Sequence, residues 1–91
     1  MSVKVQIPLP LRSLTGNSSE VAARGSNIRE IISDLEATYP GVKGRILQGN
    51  EDLSRLVSIF VNGQDIRLID EQDTAVKDGD VITILPLMAG G

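Results

Sequence analysis

Residues 26–41 have the sequence SNIREIISDLEATYPG, which contains the one strong helix signal of the chain. Asn27 suits the N-cap because its side chain can accept a hydrogen bond from the amide of Glu30. Glu30 itself occupies the reciprocal position of a capping box, and Pro40 with Gly41 ends the segment. The apolar residues follow the i, i+3, i+4, i+7 spacing of one helix face: Ile28, Ile31, Ile32 and Leu35.

Two strands are predicted before this helix. Residues 3–7, VKVQI, alternate between apolar and polar side chains, which indicates a strand with one apolar face. Pro8 and Pro10 prevent regular ladder pairing after it, and residues 14–19, LTGNSS, have turn chemistry. We predict a second strand over residues 20–23 that closes a hairpin with the first.

Three strands are predicted after the helix. Residues 56–61, LVSIFV, favour a strand, and Asn62-Gly63 favours a tight turn that leads into a short return strand at Ile66–Leu68. Residues 81–85, VITIL, are β-branched and almost continuously apolar, which predicts a strand at the centre of its sheet. Residues 42–55 carry mixed signals and receive no firm assignment.

The order of these elements predicts an α+β fold. One helix packed across one face of a mixed sheet is the economical way to bury both apolar surfaces. We expect four to five strands in that sheet. The chain has 91 residues, which is the size of one domain, so we predict a single domain over residues 1–91.

Composition excludes several classes of function. The chain contains no cysteine and no histidine, which removes disulfides, thiolate metal sites and a Ser-His-Asp triad. Its formal net charge of -3 argues against nucleic acid or an anionic membrane as partner. The acidic residues between positions 70 and 80 lack the spacing of a calcium loop. We expect a cytoplasmic protein with no bound metal or cofactor.

Phe60 is predicted to lie on the face of the sheet that the helix does not cover. Strand alternation assigns Val57, Ile59 and Val61 to the core, so Phe60 points to the opposite side. The same alternation in the last strand puts Leu85 on that side too. Two outward apolar side chains near each other form a patch of the kind that marks a binding surface. The alternative is a lone surface aromatic, or one covered by a loop.

The last six residues, PLMAGG at positions 86–91, are predicted to form a mobile functional tail. Pro86 lacks the amide N–H that a continuing ladder needs, and glycine loses more conformational entropy on ordering than any other residue. Without a Cβ, Gly90 and Gly91 can thread a narrow cleft. The reactive group at that end is the carboxylate of Gly91. The alternative is an ordinary frayed terminus.

The chain resembles a known family in its order of elements, its Asn62-Gly63 turn, its segment DGDVITILP at residues 78–86 and its closing MAGG. These features are similar to the ubiquitin-like sulfur carriers, the β-grasp proteins of molybdopterin, thiamine and cysteine biosynthesis. The resemblance covers essentially the whole chain. The segments ISDLEATYPG and TILPLMAGG look closest to the carrier that supplies sulfide to a cysteine synthase.

This resemblance implies a carrier that acts as a co-substrate or non-catalytic subunit and is not itself an enzyme. An E1-like enzyme would use ATP to adenylate the carboxylate of Gly91, and a sulfur donor would displace AMP to leave a thiocarboxylate. Gly90 and Ala89 would thread the active-site cleft of that enzyme. The expected partner contacts are Phe60, Leu85, Leu87 and Met88.

The resemblance leaves the receiving pathway open. A cysteine synthase is the first expected acceptor, and the large subunit of molybdopterin synthase is the second. A thiamine sulfur carrier and a protein modifier are further alternatives. Leu87 follows Pro86 here, whereas the family often has Pro-Pro or Pro-Ala before its last four residues.

Overall fold

The computed structural model describes residues 2–49 and 52–86, which contain five strands and two α-helices. The strands are β1 (Val3–Gln6), β2 (Glu20–Ala23), β3 (Val57–Val61), β4 (Gln64–Asp65) and β5 (Val81–Pro86). The α-helices are α1 (Ile28–Thr38) and α2 (Val42–Ile46). Short 3-10 helices span Leu9–Leu14, Ile66–Leu68 and Glu71–Asp73.

Strand β5 lies at the centre of the sheet, whose order is β2-β1-β5-β3-β4. It runs parallel to β1, with Gln6 opposite Thr83, and antiparallel to β3, with Ile59 opposite Ile84. Strands β2 and β4 pair antiparallel with β1 and β3 and form the two edges. The central position predicted for VITIL is therefore confirmed, and it explains why that run is apolar.

Helix α1 covers one face of this sheet. The four apolar residues predicted for its buried face, Ile28, Ile31, Ile32 and Leu35, are each at most 3% exposed. Burying an aliphatic side chain of this size contributes about 1.5–3 kcal/mol, so the helix is held mainly by this contact. The alternating residues of the sheet complete the core: Val3, Val5, Val21, Ala23, Val57, Ile59, Val61, Ile82 and Ile84.

The start of α1 is capped as the sequence predicts, with one difference. The Asn27 Oδ1 accepts a hydrogen bond of 2.8 Å from the amide of Glu30. The Glu30 carboxylate accepts from the amide and the hydroxyl of Ser26, at 2.8 and 2.9 Å. Its return bond therefore reaches the residue before the N-cap. These bonds, the one from the Ser26 amide first, hold the pKa of Glu30 below its ordinary value.

The return strand after the Asn62-Gly63 turn was predicted at the wrong residues. Strand β4 consists of Gln64–Asp65, and Ile66–Leu68 form a 3-10 helix that Asp65 caps by accepting from the Arg67 amide. Ile66 is fully buried, so its side chain turns into the core instead of extending the hairpin. The unassigned segment after Gly41 contains α2, whose Val42 and Ile46 also join the core.

The boundary predicted for the tail is also wrong by one residue. Pro86 belongs to β5 and lies opposite Val57 of β3. Proline is tolerated there because β5 is paired at that position with β3 but no longer with β1. On the side that faces β1, the missing N–H costs no ladder bond. The regular sheet thus extends through Pro86.

Candidate functional site

The candidate site lies at the end of the sheet where β5 finishes. The parallel strands β1 and β5 both end there, β2 begins there, and β3 begins there opposite Pro86. Of the predicted site residues, Phe60 and Leu85 are described. The others lie outside the described residues: Leu87, Met88, Ala89, Gly90 and Gly91. Their predicted roles in threading and in sulfur chemistry stay predictions.

Phe60 and Leu85 lie on the sheet face that α1 does not cover, as predicted. Ser58 is opposite Leu85, and Phe60 is opposite Thr83, which makes Phe60 and Leu85 diagonal neighbours on adjacent strands. Diagonal residues are about 7–8 Å apart, within reach of an aromatic side chain. Leu85 is 46% exposed and Phe60 is half-buried. We call Phe60, Val81, Thr83 and Leu85 the open face.

Arg67 organises the beginning of β3, and sequence reasoning missed it. One of its Nη atoms donates to the carbonyl oxygens of Ser54 and Val57, both at 2.9 Å. The other lies 3.4 Å from the hydroxyl of Ser58. Ser58 is only 7% exposed although it shares a face with Phe60, because the Arg67 side chain covers it. Arg67 therefore fixes the residues that pair with the end of β5.

No local sequence pattern predicts that Arg67 bonds to the beginning of β3. Arg67 is 9 residues from Ser58 and 13 from Ser54 in the chain. Its reach depends on the 3-10 turn after β4, which the sequence did not predict. A bidentate guanidinium can bridge several oxygens where an ammonium cannot, and that preference for arginine is the one available signal.

A groove of about 450 Å³ opens beside the end of β5. It lies between β5 and the chain that leaves β1, because Pro8 turns that chain away into the 3-10 helix at Leu9–Leu14. Arg12 stands at the groove and donates from Nε to the carbonyl of Ile7 at 3.1 Å. The residues that line it include Gln6, Ile7, Pro8, Arg12, Glu20 and Leu85.

Three of the acidic residues between positions 70 and 80 make hydrogen bonds or ion pairs within the fold. Asp80 accepts from the amide of Lys77 at 2.9 Å, and Asp73 pairs with Arg29 at 3.4 Å on the surface. Asp78 accepts from the amide of Ser2 at 2.9 Å. Within residues 2–49 and 52–86, no group of three or more acidic, His or Cys side chains could hold a metal ion.

The helices described here are all short. Over the same two ranges, none combines the length and the apolar character needed to cross a membrane.

The sequence matches the model of the ThiS family over residues 5–91. It is 44% identical to the sulfur carrier protein CysO of Mycobacterium tuberculosis over 93 aligned positions, which cover all of both chains. It is 32% identical to a putative sulfur carrier protein of Archaeoglobus fulgidus over 91 positions, again across the full length of both.

The structure is also similar to solved ones. It superposes on a chain of the Amycolatopsis orientalis BexX/CysO complex with a TM-score of 0.92 and 43% sequence identity. That match covers 98% of this chain and 99% of the other. The predicted fold, a β-grasp arrangement of one long helix across a mixed five-stranded sheet, is thereby confirmed.

Proposed function

The chain belongs to the ThiS family, and from this premise we propose that it is a sulfur carrier protein of cysteine biosynthesis. The observation that carries the proposal is its full-length similarity to CysO, at 44% identity. The chain is proposed to act as a co-substrate for other enzymes, with no catalysis of its own.

The proposed chemistry takes place at the carboxylate of Gly91. An E1-like enzyme binds the carrier and ATP, and a carboxylate oxygen attacks the α-phosphorus to form an acyl-adenylate and release pyrophosphate. A sulfur donor then attacks the acyl carbon, the bond to the AMP oxygen breaks, and AMP leaves. The product is a thiocarboxylate in which one oxygen of Gly91 is replaced by sulfur. ATP belongs to the activating enzyme and not to this chain.

The glycine-rich end suits this chemistry. Gly90 and Gly91 present a main chain without Cβ atoms, and Ala89 adds a single methyl group. A backbone of this thickness can enter a narrow cleft in the activating enzyme and later a second cleft in the acceptor. The chain has no cysteine or histidine that would compete as a nucleophile or base.

The folded part is proposed to supply the partner contacts. The open face offers Phe60 and the exposed Leu85, and Leu87 with Met88 would continue that apolar surface toward the tail. An apolar patch beside the reactive end would let a partner bind the fold and the tail together. The CysO of Amycolatopsis orientalis forms a complex with BexX, which supports binding to a partner protein.

The proposed acceptor is a cysteine synthase in the cytoplasm. The thiocarboxylate sulfur would form a bond to the Cβ of an activated serine bound in that enzyme, and the activating group would leave. A protease would then hydrolyse the resulting adduct, which releases cysteine and restores the Gly91 carboxylate. The large subunit of molybdopterin synthase would use the same thiocarboxylate, so the acceptor has to be identified by the product that forms. Incubation of the thiocarboxylated carrier with each acceptor enzyme and its substrate separates the two routes.

The test of the carrier function is an intact-mass measurement. The purified chain is incubated with an E1-like activating enzyme, ATP and sulfide, and we expect a mass gain equal to the replacement of one oxygen by sulfur. Fragmentation should locate the gain at Gly91. The matched control is the chain lacking Gly91, which should gain nothing.

A native chain that keeps its mass, while a known carrier is converted in a parallel reaction by its own enzyme, would overturn the proposal. A gain of the same size in the chain lacking Gly91 would move the chemistry away from the terminal carboxylate.

A further inference from the structure

The outward side of β2 carries backbone groups with which no described strand pairs. Strand β2 is the first in the sheet order and pairs on one side only, with β1. The amide of Ile7 donates to the Ser19 carbonyl at 2.8 Å, and hydrogen-bonded pairs alternate along an antiparallel ladder. Val21 therefore faces β1 with its N–H and C=O groups, and those of Glu20 and Ala22 point away from the sheet.

Both ends of this open edge are closed by contacts within the chain. At one end the carboxylate of Asp34, on helix α1, accepts from the amide of Arg24 at 2.8 Å. At the other end Ser18 lies in a turn, since its amide donates to the Thr15 carbonyl at 3.1 Å. The open edge is therefore confined to the outward-facing groups of β2, and a strand that fits it need be no longer than β2 itself.

Two opposite charges lie along the exposed face of this edge. Glu20 and Arg24 are both exposed, and within residues 2–49 and 52–86 neither side chain makes a hydrogen bond or an ion pair. They are separated by four residues of extended chain, or about 13 Å, which is too far for them to pair with each other. A second molecule can supply an opposite charge to each of them.

We propose that the open edge of β2 binds β2 of a second copy of this chain, which joins the two sheets into one. The two strands run antiparallel about a two-fold axis at Val21. Glu20 of each copy then lies opposite Ala22 of the other copy, and this pair exchanges two N–H···O bonds. Because the two-fold axis repeats the pair, every outward N–H and C=O group of the open edge is satisfied at once.

Charge and the contact at Asp34 select this register. Glu20 of one copy is diagonal to Arg24 of the other, at about 7–8 Å, a distance that long side chains span. A register centred on Glu20 would place two carboxylates directly opposite each other, which is destabilising. A register centred on Ala22 would bring the second backbone to the place where the Asp34 carboxylate bonds to the Arg24 amide. The edge is thus complementary to itself in hydrogen bonds, charge and length.

This interface leaves the proposed partner surface accessible. Strand β1 lies between β2 and the central strand β5, so the open face at Phe60 and Leu85 is not part of the edge. One short pair of strands buries less than the roughly 1,200 Å² of a stable complex, so the dimer is expected to be weak. The inference does not depend on sulfur chemistry, and either proposal can fail without the other.

The test measures association of the full chain by sedimentation equilibrium. We expect monomers at about 20 µM and a dimer population at about 1 mM, which is the behaviour of a weak complex. In a mixture of ¹³C-labelled and unlabelled chains, cross-relaxation should connect the Hα atoms of Val21 from different copies. The reason is that a non-hydrogen-bonded pair brings its Cα atoms to about 4.5 Å.

Ala22→Pro tests the backbone bonds. It removes one outward N–H from each copy and should weaken dimerisation at least about tenfold, because two bonds are lost by symmetry. Proline is tolerated where the N–H of an edge strand faces solvent, so circular dichroism should show a folded chain. Ala22→Ser keeps the N–H and is the matched control, with association as in the native chain.

Charge reversal tests the register. Glu20→Arg and Arg24→Glu each place like charges across the interface and should each dimerise about fivefold more weakly than the native chain. An equimolar mixture of the two variants should recover association, because each chain then meets the opposite charge at both ends. Arg55→Glu reverses an exposed charge outside β2 and is the control for a general charge effect.

Three results would overturn the inference. The first is a native chain that remains monomeric at about 1 mM, which would leave the edge to a different protein. The second is native association in a folded Ala22→Pro variant, which would place the interface elsewhere. The third is a mixture of the two charge variants that associates no better than either alone, which would exclude the register.

Discussion

The side chains of Asn62 and Asp80 are hydrogen-bonded to each other. Asn62 lies in the turn that follows β3, and Asp80 lies in the turn that precedes the central strand β5. The Nδ2 of Asn62 donates to Asp80 Oδ1 at 3.0 Å, and the Oδ1 of Asn62 accepts from the amide of Val81 at 2.9 Å. Asn62 adopts a left-handed conformation with φ of 50°, which asparagine tolerates better than most residues. These bonds link the end of β3 to the start of β5, next to the pair in which Val61 lies opposite Ile82.

Asp80→Asn is expected to destabilise the fold by about 1–2 kcal/mol at pH 7, because the new amide group faces donors from Asn62 and Lys77. Urea denaturation measures the change. The matched control is Asp73→Asn, which removes an exposed carboxylate paired only across the surface and should cost less than 1 kcal/mol.

Acid should remove the contribution of Asp80. Hydrogen bonds from the Asn62 side chain and then the Lys77 amide hold the pKa of Asp80 below its ordinary value of 3.8. Since the folded-state pKa is the lower one, the stabilisation is present above pH 3.8 and is lost as the pH falls through the folded value. The difference between the native chain and Asp80→Asn should therefore shrink below pH 3.8. A constant difference down to pH 2 would contradict this account.

Asn27→Ala should destabilise the domain by about 1 kcal/mol, because the amide of Glu30 loses its capping acceptor at the start of α1. Asn27→Ser keeps an acceptor and is expected to cost less. Thermal or urea denaturation of the two variants checks the prediction. Equal losses would show that the side-chain oxygen is not what stabilises this helix start.

Phe60→Asp should weaken activation and leave stability within about 1 kcal/mol, because Phe60 is half-buried on the open face. Its neighbour Ile59 is 1% exposed in the core, so Ile59→Ala should cost about 2–5 kcal/mol. Denaturation and the rate of pyrophosphate release by the activating enzyme are measured for both. Should Phe60→Asp unfold the protein as strongly as Ile59→Ala, the surface role of Phe60 is wrong.

Gly90→Val is expected to leave the fold intact and abolish adenylation, because a branched side chain would obstruct the cleft that admits the tail. Circular dichroism reports the fold, and intact mass reports sulfur loading. Ala89→Gly removes a methyl group nearby and serves as the control, with loading at the native rate. Full loading of Gly90→Val would show that the cleft does not select for glycine.

Arg67→Lys should cost about 1 kcal/mol or more although it keeps the charge, since one ammonium cannot span the carbonyls of Ser54 and Val57 and the hydroxyl of Ser58. The rate of amide hydrogen exchange at the start of β3 should be higher in this variant than in the native chain. Arg55→Lys, at an exposed arginine nearby, is the control and should be neutral. Unchanged exchange in Arg67→Lys would remove Arg67 from this role.

The parts of the fold that sequence predicts well are those with a long, regular apolar period. The face of α1 and the alternation of β1, β3 and β5 are all found where the pattern puts them. The pattern fails where an element is too short to show a period. Strand β4 has two residues, and α2 has five residues around Gly44.

The sequence predicts those site features that follow from the alternation of side chains within a single strand. Alternation alone put Phe60 and Leu85 on the same face. The bridge made by Arg67 and the groove beside Pro8 depend on how separate segments meet, and neither leaves a local signal. Pro8 predicts the end of a ladder, but only the register of Gln6 with Thr83 shows that β5 continues to Pro86 beyond its pairing with β1.

The central strand is also the last described segment to leave the ribosome, and this delays folding. Until residues 81–86 arrive, the β1–β2 and β3–β4 hairpins have no strand between them, and isolated hairpins are marginal in water. Closure requires contacts between the two extremes of the chain, such as Lys4 opposite Val81, which slows it further. We therefore expect nascent chains to stay protease-sensitive until residues 81–86 have left the ribosome. A folded molecule is then one in which the two halves of the sheet have been joined by the strand made after both of them.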